Sequence, residues 1–198
     1  MFKGIQKLSL VDFPDVIATT LFTGGCNFRC NWCYNFDLVL PERLSRIKEI
    51  SESEVKDFLL ERKGKIEGVC ITGGEPTIWG ERLADFLNWC KKNGFLVKLD
   101  TNGYLPEVLQ DYIEKKLLDF IAMDIKNTFE KYSLTCGVEI DIKKIKDSIK
   151  IIKESGIKHQ FRTTLVPELV SAEEMKSMEE FIGEKLVFQE FLDPSKKY

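Results

Sequence analysis

Short β-rich runs alternate with amphipathic helical stretches along most of this chain, and no other feature constrains its fold more. VIATTLF (16–22), GVCITGG (68–74), FLVKLDTNG (95–103), DFIAMDIK (119–126), HQFRTTLVP (159–167) and KLVFQEF (185–191) read as strands. Helical segments lie between them at 51–64, 81–94, 105–117, 141–156 and 171–183. Ser51 and Ser171 stand where helix caps belong, and Pro106 falls in a first turn. Apolar strands separated by helices imply a parallel sheet of right-handed βαβ units. Six units are too few for a closed eight-unit barrel, so an α/β fold with a partial (β/α)6 barrel is expected. A flat doubly wound sheet has the same periodicity and stays open as the alternative.

The 198 residues suffice for one sizeable core, and no repeat or linker-like shift divides them, so one domain over 1–198 is expected. With a net charge of −3 the chain has no basic field to hold nucleic acid. The stretch KIKDSIK reads as the wet face of a helix. The N-terminal run has neither a signal-peptide nor a transit-peptide pattern, and no apolar run approaches a membrane span. The expected home is the cytoplasm, where thiols stay reduced and the six cysteines point to metal binding or reactivity over disulfides.

In a parallel barrel or open sheet, chemistry gathers at the carboxyl ends of the strands. The unusual residues fall there. CNFRCNWCYN (26–35) follows the first strand, with Cys26, Cys30 and Cys33 spaced C-x3-C-x2-C. Gly73, Gly74 and Glu75 follow the second strand, and Asp100, Thr101 and Asn102 end the third. Asp124 and Lys126 end the fourth, Arg162 to Pro167 lie along and beyond the fifth, and Gln189 and Glu190 lie in the sixth.

Three thiolates can hold three irons of a [4Fe–4S] cube and leave the fourth iron open to a ligand, whereas four would make an electron carrier. A structural zinc site is the alternative. It wants a fourth Cys or His nearby, and the one histidine, His159, is on another strand. Cys70 and Cys90 read as small core residues, and Cys136 as a loop cysteine with no partner for a second cluster. The two glycines let backbone approach a ligand closely, and Glu75 can accept a hydrogen bond from an ammonium group. Asp124 and Lys126 could equally be a structural ion pair.

The cysteine loop, with Trp32 before its last cysteine, resembles the motif of the radical S-adenosylmethionine (SAM) superfamily, C-x3-C-x-aromatic-C. The resemblance implies that SAM chelates the open iron through its amino and carboxylate groups. Reductive cleavage then yields methionine and a 5′-deoxyadenosyl radical. It also makes TGGEP (72–76) the segment that holds SAM's amino group. DTNG (100–103), MDIK (123–126) and the N-terminal run GIQKLSLVDFPD resemble the glycyl-radical-enzyme activases. The short activating proteins of anaerobic ribonucleoside-triphosphate reductase are the nearest branch. That resemblance places Asp100, Thr101, Asp124 and Lys126 around SAM's methionyl carboxylate and ribose, with room for a monovalent cation. Arg162 and Val166 would lie beside the ribose and adenine. Two positions depart from the pattern: Tyr34 stands where histidine is usual after the third cysteine, and Asp15 follows Pro14 where glycine is common.

These readings imply an enzyme that abstracts hydrogen from a backbone glycine of a larger partner, expected to be anaerobic ribonucleotide reductase. Its electrons would come from a low-potential donor such as flavodoxin or ferredoxin. The rivals are a radical SAM enzyme acting on a small molecule, of the deazapurine-forming kind, and a metal-stabilised interaction domain.

Overall fold

The computed structural model describes residues 1–167 and 169–191. Seven strands form one sheet in the order β1-β2-β3-β4-β5-β6-β7. These are β1 (Phe2–Ser9), β2 (Ala18–Thr23), β3 (Gly68–Gly73), β4 (Leu96–Thr101), β5 (Phe120–Asp124), β6 (Lys158–Leu165) and β7 (Leu186–Glu190). β1 runs antiparallel to β2, and every later neighbour is parallel. The helices are α1 (Pro41–Leu44), α2 (Glu52–Glu61), α3 (Gly80–Lys92), α4 (Pro106–Glu114), α5 (Tyr132–Cys136), α6 (Ile142–Glu154) and α7 (Ala172–Ile182).

The strand order decides between the two expected architectures. A doubly wound sheet must reverse direction at a switch point, which puts helices on both faces. Here each parallel strand adds beside the one before it. Right-handed crossovers that always step the same way leave their helices on one face, and the sheet coils into a partial barrel.

The faces therefore differ. Outward residues Leu21, Ile71, Val97, Leu99, Ile121, Met123 and Phe161 are buried in one core with Leu83, Phe86, Leu109, Tyr112 and Ile145 of the helices. Inward residues Thr20, Thr72, Asp100, Asp124, Arg162 and Gln189 line a hollow. A small apolar cluster of Phe13, Ala18, Phe120 and Ala122 floors it, with the rings of Phe13 and Phe120 edge to face at 6.0 Å.

The loop carrying Phe13 turns through Asp15 at φ 61°. The left-handed turn that glycine would favour is kept, because aspartate tolerates this region better than most residues. The expected caps are present. Ser51 and Ser171 accept from the backbone N–H of Glu54 and Glu174, and both glutamates reach back to close a capping box.

Three elements were not expected from the sequence. β1 is an edge strand with register shifts near Gly4 and before Ser9, and its middle is exposed, so no clean period-two pattern marks it. α1 and α5 span only four and five residues, too short for a helical period to show.

Candidate active site

The cysteine loop leaves β2 at the carboxyl end of the barrel. Its shape is held from within. The Arg29 guanidinium donates to the carbonyls of Cys26 and Phe28, both at 2.7 Å, and the Cys33 N–H donates to the Cys30 carbonyl at 3.1 Å. Phe28 is buried with its ring edge to face against Tyr104. Asn102 donates to the Asn27 side-chain carbonyl at 2.7 Å, joining the loop to the end of β4.

The two glycines at the end of β3 line the cavity and also join two loops. A side chain on Gly74 would begin 1.9 Å from the Gly25 carbonyl oxygen, and one on Gly73 would begin 2.4 Å from the Thr23 backbone. Gly73 also sits at φ 120°. The close approach is of loop to loop: Gly74 N–H donates to Thr23 at 2.9 Å and Glu75 N–H to Gly25 at 2.8 Å. Asn35 completes the joint by donating to the Gly73 carbonyl at 2.9 Å.

Glu75 is fully buried and accepts four hydrogen bonds from the protein. They come from Thr77 N–H (3.0 Å), Thr77 O–H (2.6 Å), Thr101 O–H (2.7 Å) and Asn102 N–H (2.6 Å). The carboxylate thus braces the ends of β3 and β4 against each other. Burial raises its pKa, and these donors oppose the rise.

Below the rim runs a ladder of alternating charge. Lys98 pairs with Asp100, and Arg162 reaches Asp100 at 3.3 Å and Asp124 at 2.9 Å. Lys126 donates to the other Asp124 oxygen at 3.0 Å and stands 5.2 Å over the Trp32 ring. For Asp124, burial favours the neutral acid, but Arg162 and Lys126 overcome it and hold the carboxyl at about 2. The ladder carries three cations against two carboxylates.

The thiols differ. Burial pushes Cys26 up to about 12, with the Glu75 charge adding to the effect, and burial also raises Cys33. Cys30 is drawn down to about 7, first by the neighbouring Cys136 thiol. Cys136 is fully buried at the end of α5. The expectation of a loop cysteine is therefore corrected: Cys136 ends α5, and its carbonyl accepts the Arg29 N–H at 2.8 Å, which brings it against the cysteine loop.

Twelve of the expected residues, among them Cys26, Cys30, Cys33, Trp32, Asp124 and Arg162, line one cavity of about 430 Å³. That volume is within the range of small-ligand sites. Val166 is buried just past β6 and is not among the lining residues. Sequence reasoning named Asn102 at the rim without a role, read Cys136 as a loop residue, and missed Asn27, Asn35 and Lys98. Lys98 left one signal, a lysine within the apolar run FLVKLD.

Whether the loop suits an iron–sulfur cube can be judged from its donors. Asn27 Nδ2 and Trp32 Nε1 are buried without a hydrogen-bond partner among the described residues. Both belong to the loop that carries the thiols, and buried polar groups ordinarily find partners. Three thiols with unpartnered N–H donors beside them fit a cluster whose sulfurs accept hydrogen bonds. No three His, Cys, Asp or Glu side chains among the described residues gather closely enough to hold a single metal ion.

A parallel partial barrel with a three-thiol loop at its carboxyl rim and a charged interior defines a class of cofactor-using α/β enzymes. The radical SAM superfamily model matches residues 20–182, and the chain belongs to that family. Within it the chain groups with the glycyl-radical-enzyme activating enzymes. It is 33% identical over 182 residues to a Methanocaldococcus jannaschii protein provisionally named glycyl-radical enzyme activating enzyme MJ1227, covering 90% of this chain and 73% of that one. It is 30% identical over 175 residues to the pyruvate formate-lyase-activating enzyme of Clostridium pasteurianum, covering 86% and 71%. Among solved structures, native anSMEcpe with bound AdoMet superposes with a TM-score of 0.65 at 20% identity. That likeness spans 87% of this chain and half the length of the solved one, and it bears on the fold. The family implies a [4Fe–4S] cluster and SAM. Among the described residues no helix is long and apolar enough to cross a membrane.

Proposed function

We propose that this protein activates a glycyl-radical enzyme, with anaerobic ribonucleoside-triphosphate reductase as the partner. One observation carries the reading: the three cysteine thiols and the charge ladder face the same cavity, joined by the glycine turn and Glu75. Cys26, Cys30 and Cys33 would hold the cluster. When bound, cluster and SAM together supply reductive cleavage and a hydrogen-abstracting radical.

The chain's own residues bind and orient. The ladder's extra cation suits a ligand carboxylate, with Lys126 and Arg162 at its upper end. Asp100, Thr101 and Asp124 stand where ribose hydroxyls and a monovalent cation could be met, and Arg162 with Val166 would flank ribose and adenine. Gly73, Gly74 and Glu75 shape the rim that receives the ammonium group, with Glu75 acting through its brace. Trp32 lies beside the cavity as an apolar wall. A backbone glycine must come into near contact with the reacting carbon, because hydrogen transfer needs that geometry. A low-potential flavodoxin or ferredoxin would supply the electron, and the reaction would belong in the cytoplasm.

The test is anaerobic incubation with SAM, a strong reductant and the reductase, read by electron paramagnetic resonance. A doublet should grow on the reductase and vanish when its target glycine is replaced by alanine. Turnover of a small molecule, with no glycyl radical on any candidate enzyme, would transfer the assignment to the small-molecule rival.

A further inference from the structure

The two edges of the sheet are built differently. β1 pairs with β2 through two shifts of register, carries Lys3 and Lys7, and is bridged at Phe2 by Ile50. Bulges, edge lysines and a covering segment are devices that stop an exposed strand from pairing with another chain. Among the described residues β7 has none of them, and β6 is its one strand neighbour. Its sequence, LVFQE, contains neither lysine nor proline, and it follows β6 in unbroken register from Phe161 with Leu186 to Leu165 with Glu190. Past Leu186 the strand is exposed, with Val187 at 44% and Phe188 at 38%. Successive residues face opposite sides, so an apolar side chain stands exposed on each face of an unpaired edge. This edge runs into the cavity. Gln189 and its register partner Thr164 both line it, and with Trp32, Tyr34, Glu190 and Phe191 they line an adjoining gap of about 180 Å³.

We propose that the outer edge of β7 is the docking site for an extended segment of the partner enzyme, which adds to the sheet as a strand and carries its glycine past Gln189 into the cavity. The inference rests on the proposed activation of a glycyl-radical enzyme. An added strand is held by main-chain hydrogen bonds, and its alternate side chains set specificity. That mode suits this substrate, because the reacting glycine offers no side chain to grip and its neighbours must carry the recognition. Val187, on the cavity side with Gln189, and Phe188, on the opposite side, select apolar residues in the segment. A segment fixed along a strand also arrives in one register, and hydrogen transfer needs the glycine in near contact with the reacting carbon. A small molecule has no use for an unpaired strand edge. A second copy of this chain seated there would cover the side of the cavity that Gln189 lines, and so would compete with the partner.

The experiment uses the full chain with its cluster reconstituted anaerobically, SAM, and the anaerobic reductase as partner. Amide exchange of residues 186–190 is read residue by residue, with and without the reductase. In the free chain the amides paired to β6 should be slow and the alternate, outward ones fast. With the reductase in excess the fast set should slow about tenfold, the effect of a newly made hydrogen bond. The double variant Val187→Lys, Phe188→Lys puts two charges on the edge at exposed positions. It should keep the wild-type iron content and, with a chemical reductant, the wild-type rate of partner-free SAM cleavage. Its glycyl-radical signal on the reductase should fall about tenfold, because lysines on an edge oppose strand addition. Outward amides that stay fast while the radical forms overturn the proposal, whatever the variant does. So does an unchanged radical yield in a double variant that holds its cluster. Protection already present without the reductase overturns it too: if it grows with chain concentration the edge belongs to a second copy, and if it does not, to residues 192–198. A wild-type chain that forms no glycyl radical on any candidate enzyme would instead remove the activation reading on which the proposal rests.

Discussion

On the outward face of β4, Val97 and Leu99 are fully buried against the helices. On the inward face of the same strand, Lys98 and Asp100 form an ion pair beneath the cavity. β5 repeats the contrast, with Ile121 and Met123 outward and Ala122 and Asp124 inward. Successive residues of a strand point to opposite sides, so one segment carries a hydrophobic core and a polar site one residue apart. The helix-covered face supplies the larger share of burial. The inner face accepts charges that an apolar core would exclude, because each is matched by its neighbour in the ladder. Stability and chemistry are therefore separable by side-chain parity along each strand.

The sharpest way to break this comparison is with the cysteines, which occur on both sides. Cys30→Ala should abolish cluster assembly, while Cys90→Ala, on the helix side, should leave iron and sulfide content at the wild-type level. Cluster loss from Cys90→Ala would mean that the two faces are not independent. Next in size is Leu99→Ala. Truncating a buried leucine costs about 2–5 kcal/mol, so denaturant unfolding should shift clearly, while the folded variant still takes up iron.

Arg162→Met tests the ladder with the opposite expectation. Asp100 keeps Lys98 and Asp124 keeps Lys126, so neither carboxylate is left bare, and the stability loss should be smaller than for Leu99→Ala. SAM affinity should fall about ten- to a hundredfold, the worth of a charge-assisted hydrogen bond of roughly 1.5–3 kcal/mol. Equilibrium binding to the reconstituted protein measures this, and a large stability loss with unchanged affinity would make the ladder a structural device. The smallest effect is expected at the floor. Asp15→Gly relieves a left-handed residue and should raise stability by about 0.5–1 kcal/mol, since glycine adopts that region without steric cost. An unfolding midpoint that moves down would show that Asp15 contributes something its backbone conformation does not reveal.

The same parity governs what could be read from the sequence. The outward residues made the apolar runs that located six strands, and the polar rim residues stood out at the strand ends. The cysteine loop could be read because its residues are adjacent. Lys98 was hidden because one lysine among apolar neighbours does not say which face it occupies. Cys136 was hidden because the loop it packs against, at Arg29, is distant in sequence, and a five-residue helix gives no period. Glu75 was legible as a site residue but not as a brace, since two of its four donors, from Thr101 and Asn102, belong to a strand end that only the fold brings to it. β1 escaped because an exposed edge strand with shifts in register carries no regular pattern.

The interlocked glycine turns have a mechanical consequence. Where side chains meet, a rotamer change can absorb a displacement. Where two main chains meet at Gly25 and Gly74, nothing can yield without moving a strand end. The start of the cysteine loop is thus rigidly coupled to β3 and cannot swing open as a flap. Amide exchange should report this directly. The Gly74 and Glu75 protons, donated to Thr23 and Gly25, should exchange on the timescale of global unfolding, and any opening of the rim should begin elsewhere along the loop.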